Sequence, residues 1–225
     1  MVDSNKIPLG YKVEVACSYC LAADLGQSVD PTAIAVLEHR KSTLVHWKGK
    51  ATPHGEEFRV RHLSRLPLGM PYTAQVERIA SLLQRSPINN NCDFVIDETG
   101  VGRPVGDLFS SIRLKPIRVV ITGGEGQRST GLSRWYVPKS LLISALDARL
   151  HTQELKIAPD LAESDVLRDE LKDFRRHVNS AGRTSFEARV GKHDDLVLAV
   201  ALALWNFVGR SRRKPAQFGK AGYTR

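Results

Sequence analysis

Apolar and polar positions alternate along the first third of the chain in the way that β-strands require. Residues 13–23 are rich in strand-forming side chains and end at Asp24, and a turn-forming segment, residues 26–31, separates them from a second apolar run, residues 32–37. Residues 58–66 alternate apolar with basic side chains, a period of two that is typical of strands with one buried face. The pattern predicts an antiparallel hairpin followed by a half-buried strand.

The remainder of the chain alternates between strand and helix patterns. Residues 92–97 and 117–121 are short, nearly continuous apolar segments, which are typical of strands buried on both faces. Helical spacing and helix start signals predict helices at 71–86, 104–112, 138–151, 163–176 and from 194 onwards, with short strands at 155–158 and 185–190. We therefore predict an α/β fold with a mixed central sheet, an antiparallel hairpin plus parallel strands, flanked by helices.

Composition narrows the class of protein. Of the 225 residues, 42% are hydrophobic and 25% are charged, which excludes a disordered, collagen-like or disulfide-scaffold chain. The longest apolar stretch, residues 196–208, is shorter than the roughly 20 helical residues that span a bilayer. The first ten residues carry no secretory signal pattern. We expect one domain over residues 1–208, with no membrane partner.

Positive charge is concentrated near the C-terminus. The chain carries 33 Lys and Arg against 24 Asp and Glu, a formal net charge of +9, and residues 209–225 hold six of the basic side chains and no acidic one. Such an excess favours a polyanionic partner, most often nucleic acid. We predict that this segment is a flexible tail that contacts phosphates through Arg210, Arg212, Arg213 and Lys214. A solubilising linker is the equally weighted alternative.

The three cysteines do not form a recognisable metal site. Cys17 and Cys20 make a single C-x-x-C pair, and neither a second pair nor a well-spaced histidine pair completes a zinc site with Cys92. We predict core or edge thiols in a reducing cytoplasm, with a redox role as the lesser alternative.

Acidic residues fall at the ends of predicted elements. Asp24 ends the first strand, Asp97 ends the first buried strand, and Asp194 and Asp195 open the last helix. Because sites in open α/β sheets form at the carboxyl ends of strands, we expect these side chains to meet at one edge. Clustered carboxylates repel each other unless a cation lies between them, and such hard oxygen ligands suit Mg²⁺ or Mn²⁺. Two ions about 4 Å apart can hold the attacking water and the leaving 3′ oxygen of a phosphodiester.

The helical pattern favours Asp195 over Asp194 as the inner ligand. Asp195 shares a helix face with Ala199 and Ala203, whose small side chains permit close approach to the sheet. Asp194 is retained as an alternative or second ligand. Each carboxylate taken singly has an ordinary structural explanation, as a helix cap or as a turn former at a strand end. Only their joint placement favours chemistry.

Several segments together resemble a known family, the nuclease domain of phage large terminase subunits. The resemblance extends from about residue 12 to residue 208, with its motifs in the same order and at compatible spacing. The segments that carry it are A-A-D-L-G at 22–26, D-P-T-A-I-A-V at 30–36, residues 61–72, V-I-D-E-T-G-V-G at 95–102, I-T-G-G at 121–124, V-P-K at 137–139 and G-K-H-D-D-L-V-L-A at 191–199.

The resemblance implies an RNase H-like fold, shared with RuvC-type resolvases, and a metal-dependent endonuclease that cuts concatemeric viral double-stranded DNA during genome packaging. It implies catalytic roles for Asp24, Asp97 and Asp195, with Asp194 as a further metal ligand, and two Mg²⁺ or Mn²⁺ ions as cofactors. The implied partners are DNA, a terminase ATPase domain, a small terminase subunit and a capsid portal, in the cytoplasm of an infected bacterial host. Glu98 lies on the opposite face of its strand and ranks below its neighbour.

The chain departs from the family in one respect. Large terminases usually carry an ATPase motor before the nuclease, but no G-x-x-x-x-G-K-S/T loop occurs here, and we expect no ATP hydrolysis. An excised domain, one half of a split terminase and a stand-alone relative are equally consistent with the sequence. We predict that the glycine loop, residues 123–131, and the segment after it contact DNA through Arg128 and Arg134, with no role for the loop as the alternative. The basic residues of segment 58–66 are further candidates for phosphate contact, or form a solvated sheet face.

Two other functions stay open. The first is a RuvC-like Holliday junction resolvase on the same fold, which should form a dimer and cut branched DNA. The second is a non-catalytic DNA- or portal-binding module whose acidic residues are vestigial.

Overall fold

A computed structural model describes residues 7–100, 102–131, 133–173, 175–178, 184–187 and 194–210. Within these residues the chain forms ten strands and five α-helices. The strands are β1 (Tyr11–Asp24), β2 (Ala33–His46), β3 (Ala51–Arg65), β4 (Cys92–Asp97), β5 (Ile117–Thr122), β6 (Arg128–Thr130), β7 (Arg134–Pro138), β8 (Leu155–Ile157), β9 (Arg175–Val178) and β10 (Thr184–Glu187). The helices are α1 (Tyr72–Leu83), α2 (Gly102–Ser111), α3 (Lys139–His151), α4 (Ser164–Asp173) and α5 (Asp195–Val208).

Eight of the strands form one mixed sheet in the order β6-β7-β5-β4-β1-β2-β3-β8. β1, β2 and β3 are antiparallel neighbours, whereas β4 runs parallel to β1 and to β5, and β5 runs parallel to β7. β9 and β10 pair with each other in a separate antiparallel sheet. The predicted α/β fold with a mixed sheet, a hairpin plus parallel strands, is confirmed.

Several predicted boundaries were wrong. β2 and β3 together cover most of the polar stretch 38–57, which has no hydrophobic alternation because both strand faces lie outside the core over residues 40–46 and 51–57. β6 and β7 were not predicted, and β6 occupies part of the glycine loop because it pairs with the later strand β7. The helix predicted over 163–176 ends at Asp173, and Arg175 begins β9.

The helices cover the sheet on both faces, and α5 is the most deeply buried of them. α5 lies against β1, β2, β3 and β4, and α3 and α4 pack beside it. Its residue Trp205 is completely buried, packs edge-on against Trp135 with ring centroids 5.5 Å apart, and donates its indole N–H to Gln127 Oε1 at 2.9 Å. The side chains of α1 and α2 form the second core on the opposite face. No helix among the described residues is long and apolar enough to cross a membrane.

A buried glutamine holds the turn that follows β1. The Gln75 side chain accepts a hydrogen bond from Thr32 Oγ1 at 2.6 Å and donates to the carbonyl oxygens of Gly26 at 2.9 Å and Met70 at 2.8 Å. A Cβ atom at Gly26 would lie 2.1 Å from the carbonyl oxygen of Asp30, so no larger residue fits there. The network therefore fixes the chain immediately beyond the carboxyl end of β1.

Replacement of this glutamine should destabilise the fold. Gln75→Ala removes the side-chain partner of the Met70 carbonyl and one of the partners of the Gly26 carbonyl and the Thr32 hydroxyl. It should lower the free energy of unfolding by about 2–3 kcal/mol, measured by urea denaturation with circular dichroism. Gln84→Ala, which truncates an exposed glutamine at the end of α1, is the control and should change that energy by less than about 0.5 kcal/mol. Equal stability of the two variants would contradict the assigned role.

Candidate functional site

The carboxyl ends of two neighbouring strands carry the first two aspartates. Ala23 of β1 is paired with Ile96 of the parallel strand β4, so Asp24 and Asp97 lie side by side at the next position. Adjacent strands are about 4.8 Å apart. Each aspartate lies two residues after a side chain of the core that α5 helps to form, and both carboxylates therefore face α5.

The N-terminus of α5 brings two further aspartates to this edge. Asp195 is the first residue of the helix and is 6% exposed, while Asp194 precedes it and is half-buried. α5 packs against both β1 and β4, and the negative charges of both aspartates contribute, after burial and Asp97, to the raised pKa of Asp24. The structure thus brings together all four of the predicted acidic residues. Asp195 is the more buried of the pair, and its role as the inner metal ligand stays a prediction.

Burial and like charge dominate the electrostatics of the cluster. The pKa of Asp24 is raised well above its ordinary value, first by burial and then by the negative charges of Asp97 and the aspartates at the start of α5. Burial also raises the pKa of Asp97, although hydrogen bonds from the Thr99 hydroxyl and from its amide, 2.8 Å from Asp97 Oδ1, act in the opposite direction. Thr99 Oγ1 in turn accepts the amide of Ile121 at 2.7 Å, which ties the end of β4 to β5.

A lysine supplies part of the compensating charge. Lys139 is the first residue of α3, and its Nζ donates to Asp194 Oδ2 at 2.7 Å. Its positive charge also lowers the pKa of Asp24 and of Asp97. Lys139 therefore interacts with carboxylates from both strands and from α5, a role that sequence reasoning missed although its V-P-K segment had been noted.

An arginine and a glutamate hold the other side of Asp195. Arg65, at the end of β3, donates to the carboxylate of Glu170 on α4 and lies 3.6 Å from Asp195 Oδ2. Glu170 Oε2 accepts the amide of Val197 at 3.1 Å and so satisfies one of the free amides in the first turn of α5. Burial raises the pKa of Glu170 to about 7. Arg65, predicted as a phosphate contact on a strand, is instead engaged with carboxylates, and Glu170 was not predicted at all.

The donors at this edge have the chemistry that a hard divalent cation requires. They are carboxylate oxygens held close together, which suit Mg²⁺ or Mn²⁺. Among the residues that the structure describes, however, no group of three or more His, Cys, Asp and Glu side chains is arranged to hold a metal ion as it stands. The cations of Lys139 and Arg65 lie against the carboxylates instead, so metal binding would require some carboxylates to turn away from them.

Two of the predicted DNA-contacting arginines lie on β6 and β7, the last two strands at one edge of the sheet. Arg128 on β6 is exposed, with its guanidinium carbon 4.2 Å from the ring centroid of Tyr136. Arg134 on β7 is ion-paired with the buried carboxylate of Glu98 at 2.7 Å, so a phosphate would have to compete with that carboxylate. Glu98 faces away from the aspartate cluster, as its position after Asp97 predicted.

The remaining predicted contacts are remote from the aspartates or lie outside the described residues. Arg210 follows the C-terminal end of α5, where its Nη1 donates to Asn206 Oδ1 at 2.6 Å. At 1.5 Å per residue, this is about 20 Å along the helix axis from the aspartates at its start. Arg212, Arg213 and Lys214 lie outside the described residues, and their contact with DNA stays a prediction.

The fold and the cluster define a mixed α/β domain with carboxylates at the carboxyl ends of two neighbouring parallel strands. Among solved structures, the chain is similar to the large terminase nuclease from thermophilic phage G20c, with a TM-score of 0.56 and 20% identity over 85% of this chain and 82% of that chain. The magnesium-bound structure of that nuclease gives a TM-score of 0.54 and 21% identity over 84% and 80%. The nuclease domain of the Thermus phage P74-26 large terminase gives 0.52 and 19% over 88% and 84%.

These similarities show that the chain has the fold of large terminase nuclease domains. Structural comparison therefore confirms the predicted fold. No protein-family model and no curated protein matches the sequence.

Substitution of Lys139 should destabilise the fold, because the carboxylates of the cluster then repel each other more strongly. In EDTA, Lys139→Met should lower the free energy of unfolding by about 1–3 kcal/mol, because a charge-assisted hydrogen bond is lost and the carboxylates are less well compensated. Urea denaturation measures the change. Lys172→Met, at an exposed lysine of α4, serves as the control and should change the energy by less than about 0.5 kcal/mol. A Lys139 variant as stable as the wild type would show that this charge does not compensate the carboxylates.

Proposed function

We propose that the chain is a divalent-metal-dependent DNA endonuclease of the large terminase type. The observation that carries the proposal is the convergence of Asp24, Asp97 and Asp195 at one edge of a sheet with the fold of large terminase nucleases. The similar nuclease from phage G20c has been solved with bound magnesium and with bound cobalt. The net charge of +9 suits a polyanionic substrate.

The proposed site assigns a role to each side chain of the cluster. Asp24, Asp97 and Asp195 hold the metal ions, and Asp194 is available as a further ligand. Two Mg²⁺ or Mn²⁺ ions bound there would activate an attacking water and stabilise the leaving 3′ oxygen. Thr99 orients Asp97 through two hydrogen bonds. Lys139 lowers the pKa of Asp24 and Asp97 and so opposes the rise that burial causes.

The wider role in this proposal is cleavage of concatemeric double-stranded viral DNA during genome packaging. The support is that the similar structures are nuclease domains of phage large terminases. This sequence has no ATP-binding loop of the G-x-x-x-x-G-K-S/T kind, so the ATPase motor would be supplied elsewhere. The proposed partners are that ATPase, a small terminase subunit and a capsid portal, in the cytoplasm of the bacterial host.

Plasmid cleavage tests the proposed activity. The wild-type chain should nick and linearise plasmid DNA with Mn²⁺ or Mg²⁺ and should be inactive in EDTA. Asp97→Asn should lower the rate at least about 100-fold without loss of DNA binding, because it removes one oxygen ligand of the ions. Asp93→Asn is the matched control on the same strand, since that carboxylate accepts a hydrogen bond from Asn206 at 2.8 Å near the opposite end of β4.

The outcomes separate the candidate functions. Cleavage at the wild-type rate by Asp97→Asn would contradict the proposed site. DNA binding without cleavage in either metal would favour the non-catalytic module, and selective cutting of a four-way junction would favour a resolvase. Thermal unfolding tests metal binding apart from activity, because Mg²⁺ should raise the Tm of the wild type and not that of Asp97→Asn.

The basic C-terminal segment is proposed as a further phosphate contact. Truncation after Arg210 removes five basic side chains and no acidic one, and it spares Gly209, whose carbonyl accepts a hydrogen bond from Gln127 at 2.8 Å. The truncated chain should bind duplex DNA more weakly in fluorescence anisotropy. The slope of log K against log salt should become shallower by up to about 4.5, at roughly 0.9 for each of five phosphate contacts. An unchanged slope would exclude the tail as a DNA contact.

A further inference from the structure

The first three strands extend well past the rest of the sheet. β4 pairs with β1 only from Tyr19 onward, so residues 11–18 of β1 continue for about 26 Å beyond that edge. We call residues 11–18, 40–46 and 51–57 the ribbon. None of these residues belongs to either buried core or is itself buried. The ribbon therefore projects from the domain with both faces outside its cores.

The ribbon ends in a tip, residues 46–50, that displays a tryptophan. The Trp47 side chain is 74% exposed. Its backbone amide donates to the carbonyl of Gly10 at 3.1 Å, and a Cβ atom at Gly10 would lie only 3.1 Å from its ring. Lys48 Nζ lies 4.9 Å from the centroid of the indole. The tip thus presents an aromatic face that is held in place and carries a cation.

The charge of the tip is uniformly positive. No acidic residue occurs in the sequence between Glu38 and Glu56. Within that interval, Arg40 and Lys41 are near enough to those two glutamates to form ion pairs, at 3.7 Å and 3.6 Å. The basic residues of the tip itself are Lys48 and Lys50.

We propose that the tip is a second DNA contact, separate from the carboxylate edge. Lys48 and Lys50 bind backbone phosphates, and Trp47 packs against the deoxyribose between them. Nucleic-acid-binding proteins combine lysines that neutralise phosphates with exposed aromatic rings that contact the nucleotides. The two lysines beside the indole favour a polyanion over an uncharged protein surface. The inference rests on the proposed function for the choice of DNA as the polyanion.

The distance between the tip and the carboxylate cluster indicates which part of the DNA the tip contacts. β1 runs from Tyr11, beside the tip, to Asp24 in the cluster, a span of about 40 Å at 3.3 Å per residue. Duplex DNA rises about 3.4 Å per base pair, so a straight duplex would need about 12 base pairs to reach from one to the other. The tip therefore holds DNA that flanks the cut. Its loss should weaken binding and leave the chemical step unchanged.

Intrinsic fluorescence tests the contact directly. The chain has three tryptophans, of which Trp205 is buried and Trp135 is half-buried against it, so Trp47 is the exposed one. Titration with a duplex of about 30 base pairs in EDTA should quench the emission of the wild type, and this quenching should be absent in Trp47→Phe. A duplex of about 8 base pairs, too short to reach both contacts, should bind more weakly than the longer one.

A charge-matched pair of double variants tests the lysines. Lys48→Ala with Lys50→Ala should weaken binding of the long duplex about tenfold in anisotropy and reduce the salt slope by about 2. Arg168→Ala with Lys172→Ala removes the same charge from exposed positions on α4 and should have a clearly smaller effect. At saturating DNA, the lysine variant should cleave at the wild-type rate.

The results that would overturn the inference are distinct from those that concern the proposed function. Quenching that persists in Trp47→Phe, equal losses of affinity in the two double variants, or no DNA binding by the wild type would each refute the tip as a DNA contact. DNA binding that depends on the tip, with no cleavage in Mn²⁺ or Mg²⁺, would support the contact and refute only the endonuclease.

Discussion

Repulsion among carboxylates at the end of β1, the end of β4 and the start of α5 is the constraint on which the rest of this edge depends. The backbone fixes these aspartates close together through strand register and helix packing, so the chain cannot separate them. Their charge must therefore be compensated. Lys139 from α3 and Arg65 from β3 provide that compensation within the protein. Charge thus links five parts of the chain that are distant in sequence.

The same edge illustrates how a polar site is built into an apolar core. α5 is buried along nearly its whole length, and its first turn still has free amides that need partners. Glu170 accepts the amide of Val197 and also receives Arg65, so it connects the helix start to the arginine near Asp195. Removal of Glu170 would disturb both the helix end and the charge balance. Its importance is therefore structural and electrostatic at once.

The sequence predicts those strands and helices in which apolar side chains form a run or a regular period with a clear polar boundary. β4 was predicted with its observed bounds because an apolar run ends at an aspartate, and the start of α5 was evident from the apolar stretch after Asp195. The β1 part of the ribbon was predicted from residue 13 onward, but its β2 and β3 parts, residues 40–46 and 51–57, were missed because strands without a buried face lack a period of two. Glu170 was missed for a different reason. Its α4 segment reads as an ordinary charged helix, and only tertiary packing brings one of its acids to α5.

The ribbon poses a physical question that the domain core does not answer. A long ribbon with no core on either face gains little from burial, and the ordering of its residues has a cost in conformational entropy. Backbone pairing and local contacts, such as the ring of Tyr11 against that of His46 at 4.7 Å, hold it together. A structure that projects an exposed tryptophan so far from the core is therefore better explained by a contact made outside the domain. Basic residues at its end, in a stretch of the sequence with no acidic residue between Glu38 and Glu56, make a nucleic-acid backbone the chemically matched partner.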